Sequence, residues 1–320
     1  YCLPSKYKYS KIDNFNQYEP TISVEKNNII FFDNKGSILK FDNNSKLVWK
    51  SNYYSKSEIK NKPVLFFSNN KNILVVADTL AKYYALNISN GNILWSKNNT
   101  SPFNSQIKII KDKFYVVDDT NNLICFSLKD GEKLWNYKAE SSLIKSQKRI
   151  SIVVQNEKII FNSSLGDLTA VHIDTGKLIW QTPTQKQSVY EDAMFLKNSD
   201  LVIANDSLLF SNNTNEFFSI DLTTGLLNWK QSINSSLRPA YIDNYIFTVS
   251  EEGYLFVIDF KSGSIIRSTN VIKNLKLKRN KFIPVGFIIG SNNIYLTTSK
   301  GRLFIIDIKT GITQQIIKID

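Results

Sequence analysis

The chain alternates short apolar runs with polar turns, and one arrangement recurs from end to end: apolar strand, Asp or Asn, two or three polar residues, Gly, three residues, Trp. It reads FDNNSKLVW at 41–49, LNISNGNILW at 86–95, FSLKDGEKLW at 126–135, VHIDTGKLIW at 171–180 and IDLTTGLLNW at 220–229. Two degenerate copies follow, IDFKSGSIIR at 258–267 and IDIKTGITQQ at 306–315. All five tryptophans, Trp49, Trp95, Trp135, Trp180 and Trp229, hold the same repeat position, and Arg267 and Gln315 hold it in the last two copies. The spacing gives a unit of about 44 residues, the span of one four-stranded propeller blade.

Gly91, Gly131, Gly176, Gly225, Gly263 and Gly311 each separate two strand-like runs, as a hairpin turn with positive φ requires; the first copy has Ser45 instead. A second turn precedes it in every unit, at Gly36, Ala81, Asn121, Gly166, Asn215, Gly253 and Gly301, where only Ala81 is a poor candidate for a left-handed conformation. Ahead of that turn stands another β-rich run, such as IIFF at 29–32 or YIFTV at 245–249. Such a unit is a twisted antiparallel sheet with two apolar faces, and radial stacking buries both. The expected fold is all-β, a β-propeller of four-stranded antiparallel blades with seven repeats visible. It forms a single domain over 1–320, with a closing strand and lead-in at 1–19 and repeats over 20–320. The repeated Trp is expected to pack between blades, worth roughly 1.5–3 kcal/mol each, so its replacement in the last two units predicts a weaker seam there.

Composition supports strands: the chain is 42% hydrophobic and 12% aromatic, with one Met. The net charge of +12 suggests nucleic acid or an anionic surface, but the basic residues are scattered. Their one dense run, 273–281, contains no Tyr or Trp and reads as a solvated loop, so no nucleic-acid partner is expected. Two distant cysteines and one histidine argue against a disulfide framework or an imidazole metal centre, and no apolar run is long enough to span a bilayer.

The segment FSIDLTTGLLNW, Phe218 to Trp229, resembles the quinoprotein-type propeller repeat, and across seven units the chain is similar to the outer-membrane-protein assembly factor BamB family. That resemblance implies a non-enzymatic scaffold without a cofactor on the periplasmic side of a Gram-negative outer membrane. It further implies peripheral attachment through a lipid anchor upstream of this chain, protein partners that include the membrane-embedded barrel-assembly component, and no homo-oligomer. It also implies eight blades; with seven units visible, the strand candidate Lys6 to Ile12 is read as the outer strand of an interrupted eighth blade, a ring of seven being the alternative. By the same resemblance the partner contacts map to the loop with Leu143, Ile144, Lys145 and Ser146 and to Asp200 on the following blades.

The same superfamily includes pyrroloquinoline-quinone dehydrogenases, which form the alternative reading. Alcohol-oxidising members resemble one another in a pair of adjacent cysteines, and this chain has none. His172 fills the turn position held elsewhere by Asp42, Asn87, Asp221, Asp259 and Asp307, which marks it as structural; Cys125 takes a strand position held by Ala85, Ala170 and Ser219. Cys2 follows Tyr1 with no apolar segment before it and is not read as a lipid-bearing cysteine. A propeller that binds some other periplasmic protein is the third possibility.

Overall fold

A computed structural model describes residues 22–33, 35–140, 148–184, 196–272 and 282–319. The chain divides into two compact units, Tyr1–Ile179 and Trp180–Asp320. Among the described residues the strands form seven four-stranded antiparallel sheets, each built from four consecutive strands in chain order. The fold is a seven-bladed β-propeller. Among the described residues the ring of seven weighed above is the one formed, and the seventh sheet, from Pro284–Ile289 to Thr313–Lys318, has its own four strands. The Lys6 to Ile12 segment lies outside the described residues.

In the first unit the blades begin at Ser23–Glu25, Leu65–Asn69, Lys108–Ile110 and Ile152–Gln155. Their middle strands are buried almost throughout, which is why they read as continuous apolar runs rather than alternating ones. One core runs from Ile30 and Ile38 through Leu65, Val75 and Tyr84 to Phe114 and Phe126, and so joins three blades. A second packs Tyr115, Val117 and Leu123 on Ile152, Phe161 and Val171. In the second unit the blades begin at Val202–Ala204, Ala240–Ile242 and Pro284–Ile289, with Leu209, Phe217 and Ile246 in one core and Val249, Leu255, Leu296 and Phe304 in another.

The repeat signature acquires its meaning at the seams between blades. Each indole lies over the signature glycine of the next blade: Trp49 on Gly91, Trp95 on Gly131, Trp135 on Gly176, Trp180 on Gly225 and Trp229 on Gly263. A Cβ on any of these glycines would stand 2.5 to 2.8 Å from an indole carbon, and each has positive φ as well. The glycine is therefore required twice, once by its turn and once by its neighbour. Four of the indole N–H groups also cross the seam, from Trp49 to the Ile88 carbonyl at 3.1 Å, Trp95 to Leu128 at 3.1 Å, Trp180 to Leu222 at 3.2 Å and Trp229 to Phe260 at 3.0 Å.

Arg267 occupies the Trp position of the sixth blade and keeps this bond, its guanidinium donating to the Ile308 carbonyl at 2.8 Å and to that of Lys309. At the second turn all seven positions have positive φ, Ala81 included at 66°. The Asp78 carboxylate accepts from the backbone N–H groups of Leu80 at 2.8 Å and Lys82 at 2.9 Å and so closes the loop around Ala81 without a glycine.

Candidate functional site

Because each blade runs up and down in order, its second turn and its connection to the next blade lie at one end, while the signature turn lies at the other. The connection end carries the unusual polar groups. Asp33, Asp78 and Asp118 begin the second turns of the first three blades and are buried, whereas the fifth and sixth blades use the neutral Asn212 and Ser250. Each of the three acids accepts two backbone N–H groups through Oδ1, the local pattern that gives the turn its shape.

Asp78 has a further role. Burial raises its pKa against the opposing pull of its donors, chief among them the Tyr54 hydroxyl at 2.5 Å. Tyr54 Oη also lies 3.4 Å from Tyr84 Oη, and burial pushes both phenols well above their ordinary range. Tyr54 precedes a short helix, Lys56–Lys60, that stands in the connection between the first two blades with Ser55 and Glu58 as a reciprocal cap. Glu58 then pairs with Lys82 at 2.6 Å, and Lys82 Nζ sits 4.8 Å over the Tyr54 ring. Together these contacts pin the connection to the second blade and make this end of the blade pair rigid.

Of the expected contact residues, Leu143, Ile144, Lys145 and Ser146 lie outside the described residues. In the first unit the chain is described again from Lys148 and Arg149, at the connection end of the fourth blade. Asp200 is half-buried at the connection end of the fifth blade, in the second unit, where its carbonyl accepts from Ser199 Oγ at 3.2 Å. Buried Ser199 is tied to the second strand of that blade, its N–H donating to the Ser211 carbonyl at 2.7 Å and its Oγ accepting from Ser211 N–H at 2.9 Å. The backbone beside Asp200 is thus fixed. The basic run 273–281 and Cys2 also fall outside the described residues.

A family profile described as outer membrane protein assembly factor BamB matches residues 34–269, across the span in which the Trp and Gly seams recur. The chain belongs to this family. In fold it is similar to BamB from Moraxella catarrhalis, with a TM-score of 0.76 and 12% identity over 94% of this chain and 88% of that one. It is similar also to the computationally designed Ika8 protein, with a TM-score of 0.70 and 14% identity over 93% and 86%, and to Saccharomyces cerevisiae Sqt1, with 0.69 and 11% over 93% and 84%. At these identities the likeness is one of fold. Among curated proteins none matches the chain.

Within this BamB-family fold the residues weighed as catalytic sit in structural places. His172 Nδ1 accepts from the Asp174 backbone N–H at 3.2 Å, as the turn acids do in other blades. Its Nε2 stands 3.6 Å from the exposed Glu157. Cys125 is fully buried, and burial pushes its thiol up to about 11, away from the thiolate a nucleophile needs.

Sequence reading missed two features of the blade edges and cores. Among the described residues a β-bulge stands beside the Trp position in the outer strand of at least six blades, and it turns Val48, Leu94, Leu134 and Ile266 outward, each about half exposed. The other is Lys40, buried at 4% exposure, where its Nζ meets Glu25 at 3.0 Å and the Ile88 carbonyl at 3.0 Å. Its signal was present, since the other blades have Ala, Cys, Ser, Val or Ile at that position.

Proposed function

We propose that this BamB-family chain is a non-enzymatic scaffold of outer-membrane β-barrel assembly, working on the periplasmic side of the outer membrane of a Gram-negative bacterium. The family match over residues 34–269 carries the reading. The structural duties of His172 and Cys125 support it, as does a connection end stiffened by buried turn acids and the Tyr54–Asp78–Lys82 cluster. A rigid end of this kind suits a protein that holds another protein in place, because little conformational entropy is lost on binding. In this reading the loop with Leu143, Ile144, Lys145 and Ser146 and the acid Asp200 contact the membrane-embedded component. An extended client strand can add to an outer blade strand only beyond its bulge, where the edge is regular.

Affinity purification of the tagged protein under mild extraction should recover the barrel-assembly component. Ile144→Asp should weaken that capture by about tenfold or more, with the thermal midpoint unchanged. Consistent absence of the component would overturn the scaffold role, and unaltered capture by the Ile144→Asp, Lys145→Glu double variant would remove the loop from the interface.

A further inference from the structure

We infer that a strap of four lysines at the connection end of the first two blades docks on an anionic lipid surface. Lys35 stands in the second turn of the first blade, and Lys56, Lys60 and Lys62 run through the short helix and its exit in the connection to the second blade; all four are exposed. Lys56 and Lys60 are four residues apart and share the outer face of the helix, while Ile59 packs inward on the core and Glu58 turns to Lys82.

The turn and the helix make one surface. A Cβ on Gly36 would meet Pro63 Cγ and Tyr54 Cδ2, each at 2.9 Å, so the residue next to Lys35 is seated against both ends of the helical connection. Asn52 Nδ2 donates to the Lys35 carbonyl at 3.0 Å, and Val64 N–H donates to Thr79 Oγ1 at 3.0 Å. The lysines are thus carried on a backbone that is fixed before any partner arrives.

Three observations choose the occupant. The charge is uncompensated: of the acids between residues 33 and 64, Asp33 pairs with Lys50 at 3.3 Å, Glu58 pairs with Lys82 at 2.6 Å and Asp42 closes the turn at the opposite end of the blade, and among the described residues none of the four ammonium groups has an ion-pair partner. The backbone is already used: Asp33 Oδ1 accepts from Lys35 and Ser37 N–H, and Ser55 and Glu58 cap the helix, so the strap offers an extended acidic peptide no strand edge to pair with. All four are lysines, whose compact ammonium lacks the planar fork that grips a single carboxylate and suits a diffuse layer of negative charge, and four such charges on one surface are what an anionic leaflet attracts. A membrane is at hand only if the peripheral outer-membrane location proposed above holds, and to that location the strap adds a contact surface and a lipid chemistry.

The test mixes the full chain with sedimenting vesicles of phosphatidylcholine, alone or with about 30% phosphatidylglycerol, and reads the bound fraction after centrifugation. The anionic vesicles should bind at least about thirtyfold more tightly. Lys35→Gln, Lys56→Gln, Lys60→Gln and Lys62→Gln together should lose about tenfold or more, whereas the same four positions changed to Arg should lose less than about threefold. Lys46→Gln, Lys129→Gln, Lys177→Gln and Lys261→Gln together, an equal charge change at exposed signature turns, should also lose less than about threefold. Equal losses in the two Gln variants, a tenfold loss in the Arg variant, or no preference for the anionic vesicles would overturn the strap. A fluorescein-labelled hexaglutamate that binds as tightly as the anionic vesicles, and loses as much in the strap variant, would overturn the lipid assignment. Capture of the barrel-assembly component is read in detergent, apart from the vesicles, so capture that persists while the lipid preference is absent sinks the strap and leaves the scaffold role standing.

Discussion

At the seam between the fifth and sixth blades the Trp229 indole covers Gly263 and donates to the Phe260 carbonyl; one blade later the Arg267 guanidinium stands over Gly311 and donates to Ile308 and Lys309. The hydrogen bond is kept and the apolar mass is not. Beside the second seam lies a cleft of about 270 Å³ lined by Val271, Ile272, Phe304 and residues 313–316, while Thr313 Oγ1 adds a bond to the Val271 carbonyl at 2.9 Å. The repeat position thus asks for two separable things, a donor for the next blade's carbonyl and a flat surface over its glycine. Arginine meets the first and only part of the second. The weaker seam expected from the loss of Trp is therefore a matter of packing rather than of hydrogen bonding.

Truncation should divide the two seams most clearly. Trp229→Ala should cost about 3–5 kcal/mol in denaturant unfolding, because it removes the indole and leaves a cavity. Arg267→Ala should cost only about 1–2 kcal/mol, the value of hydrogen bonds to carbonyls with access to solvent. Equal costs would break the distinction. The glycines give the next test. Gly263→Ala, with φ of 72° and a new Cβ 2.5 Å from the indole, should cost about 2–4 kcal/mol. Gly311→Ala has the same backbone strain at φ of 73° but meets no indole, its nearest neighbours being Thr269 Oγ1 at 2.9 Å, Thr269 Cβ at 3.3 Å and Arg267 Nε at 3.4 Å, and should cost about 1–2 kcal/mol.

Restoring the repeat should then work in the opposite direction. Arg267→Trp should stabilise by about 1 kcal/mol by laying an apolar surface over Gly311, and a loss of stability would show that the sixth blade has diverged too far to seat an indole. The smallest effect should be common to both seams. The Asp259 and Asp307 carboxyls are held below the usual carboxylate range by the backbone N–H and hydroxyl groups of Ser262 and Thr310. A lowered folded-state pKa means that their contribution is complete above about pH 3.9 and is lost as pH falls through the folded value. Asp259→Asn and Asp307→Asn should each flatten the acid fall of the thermal midpoint by the same small amount, and unequal slopes would mean that the turn senses which side chain covers it.

The aligned tryptophans made the seams legible in sequence, because a large aromatic recurring at one place in every unit marks a position that packs the same way in each blade. The paired demand on Gly263 was only half legible: its turn was visible, but Trp229 lies 34 positions before it and nothing local links the two. Ala81 was read as an exception because alanine carries no turn signal of its own, yet the Asp78 acceptor and the flanking strands hold it at positive φ. The short helix at Lys56–Lys60 had a readable signal, the Ser55 and Glu58 cap spacing, but five residues are too few for an apolar period. At the candidate site Asp200 could be recognised only as an acid in a connection.

By itself the sequence determined the order of strands within a blade and the form of its turns, because those depend on bonds between residues two to four apart, as at Asp78 and Asp221. Tertiary structure alone decided which glycine receives which indole, how Arg267 substitutes for one, and which aliphatic residues the bulges turn outward. Those contacts join residues roughly a blade apart or more, and they exist only after stacked sheets have brought distant segments together.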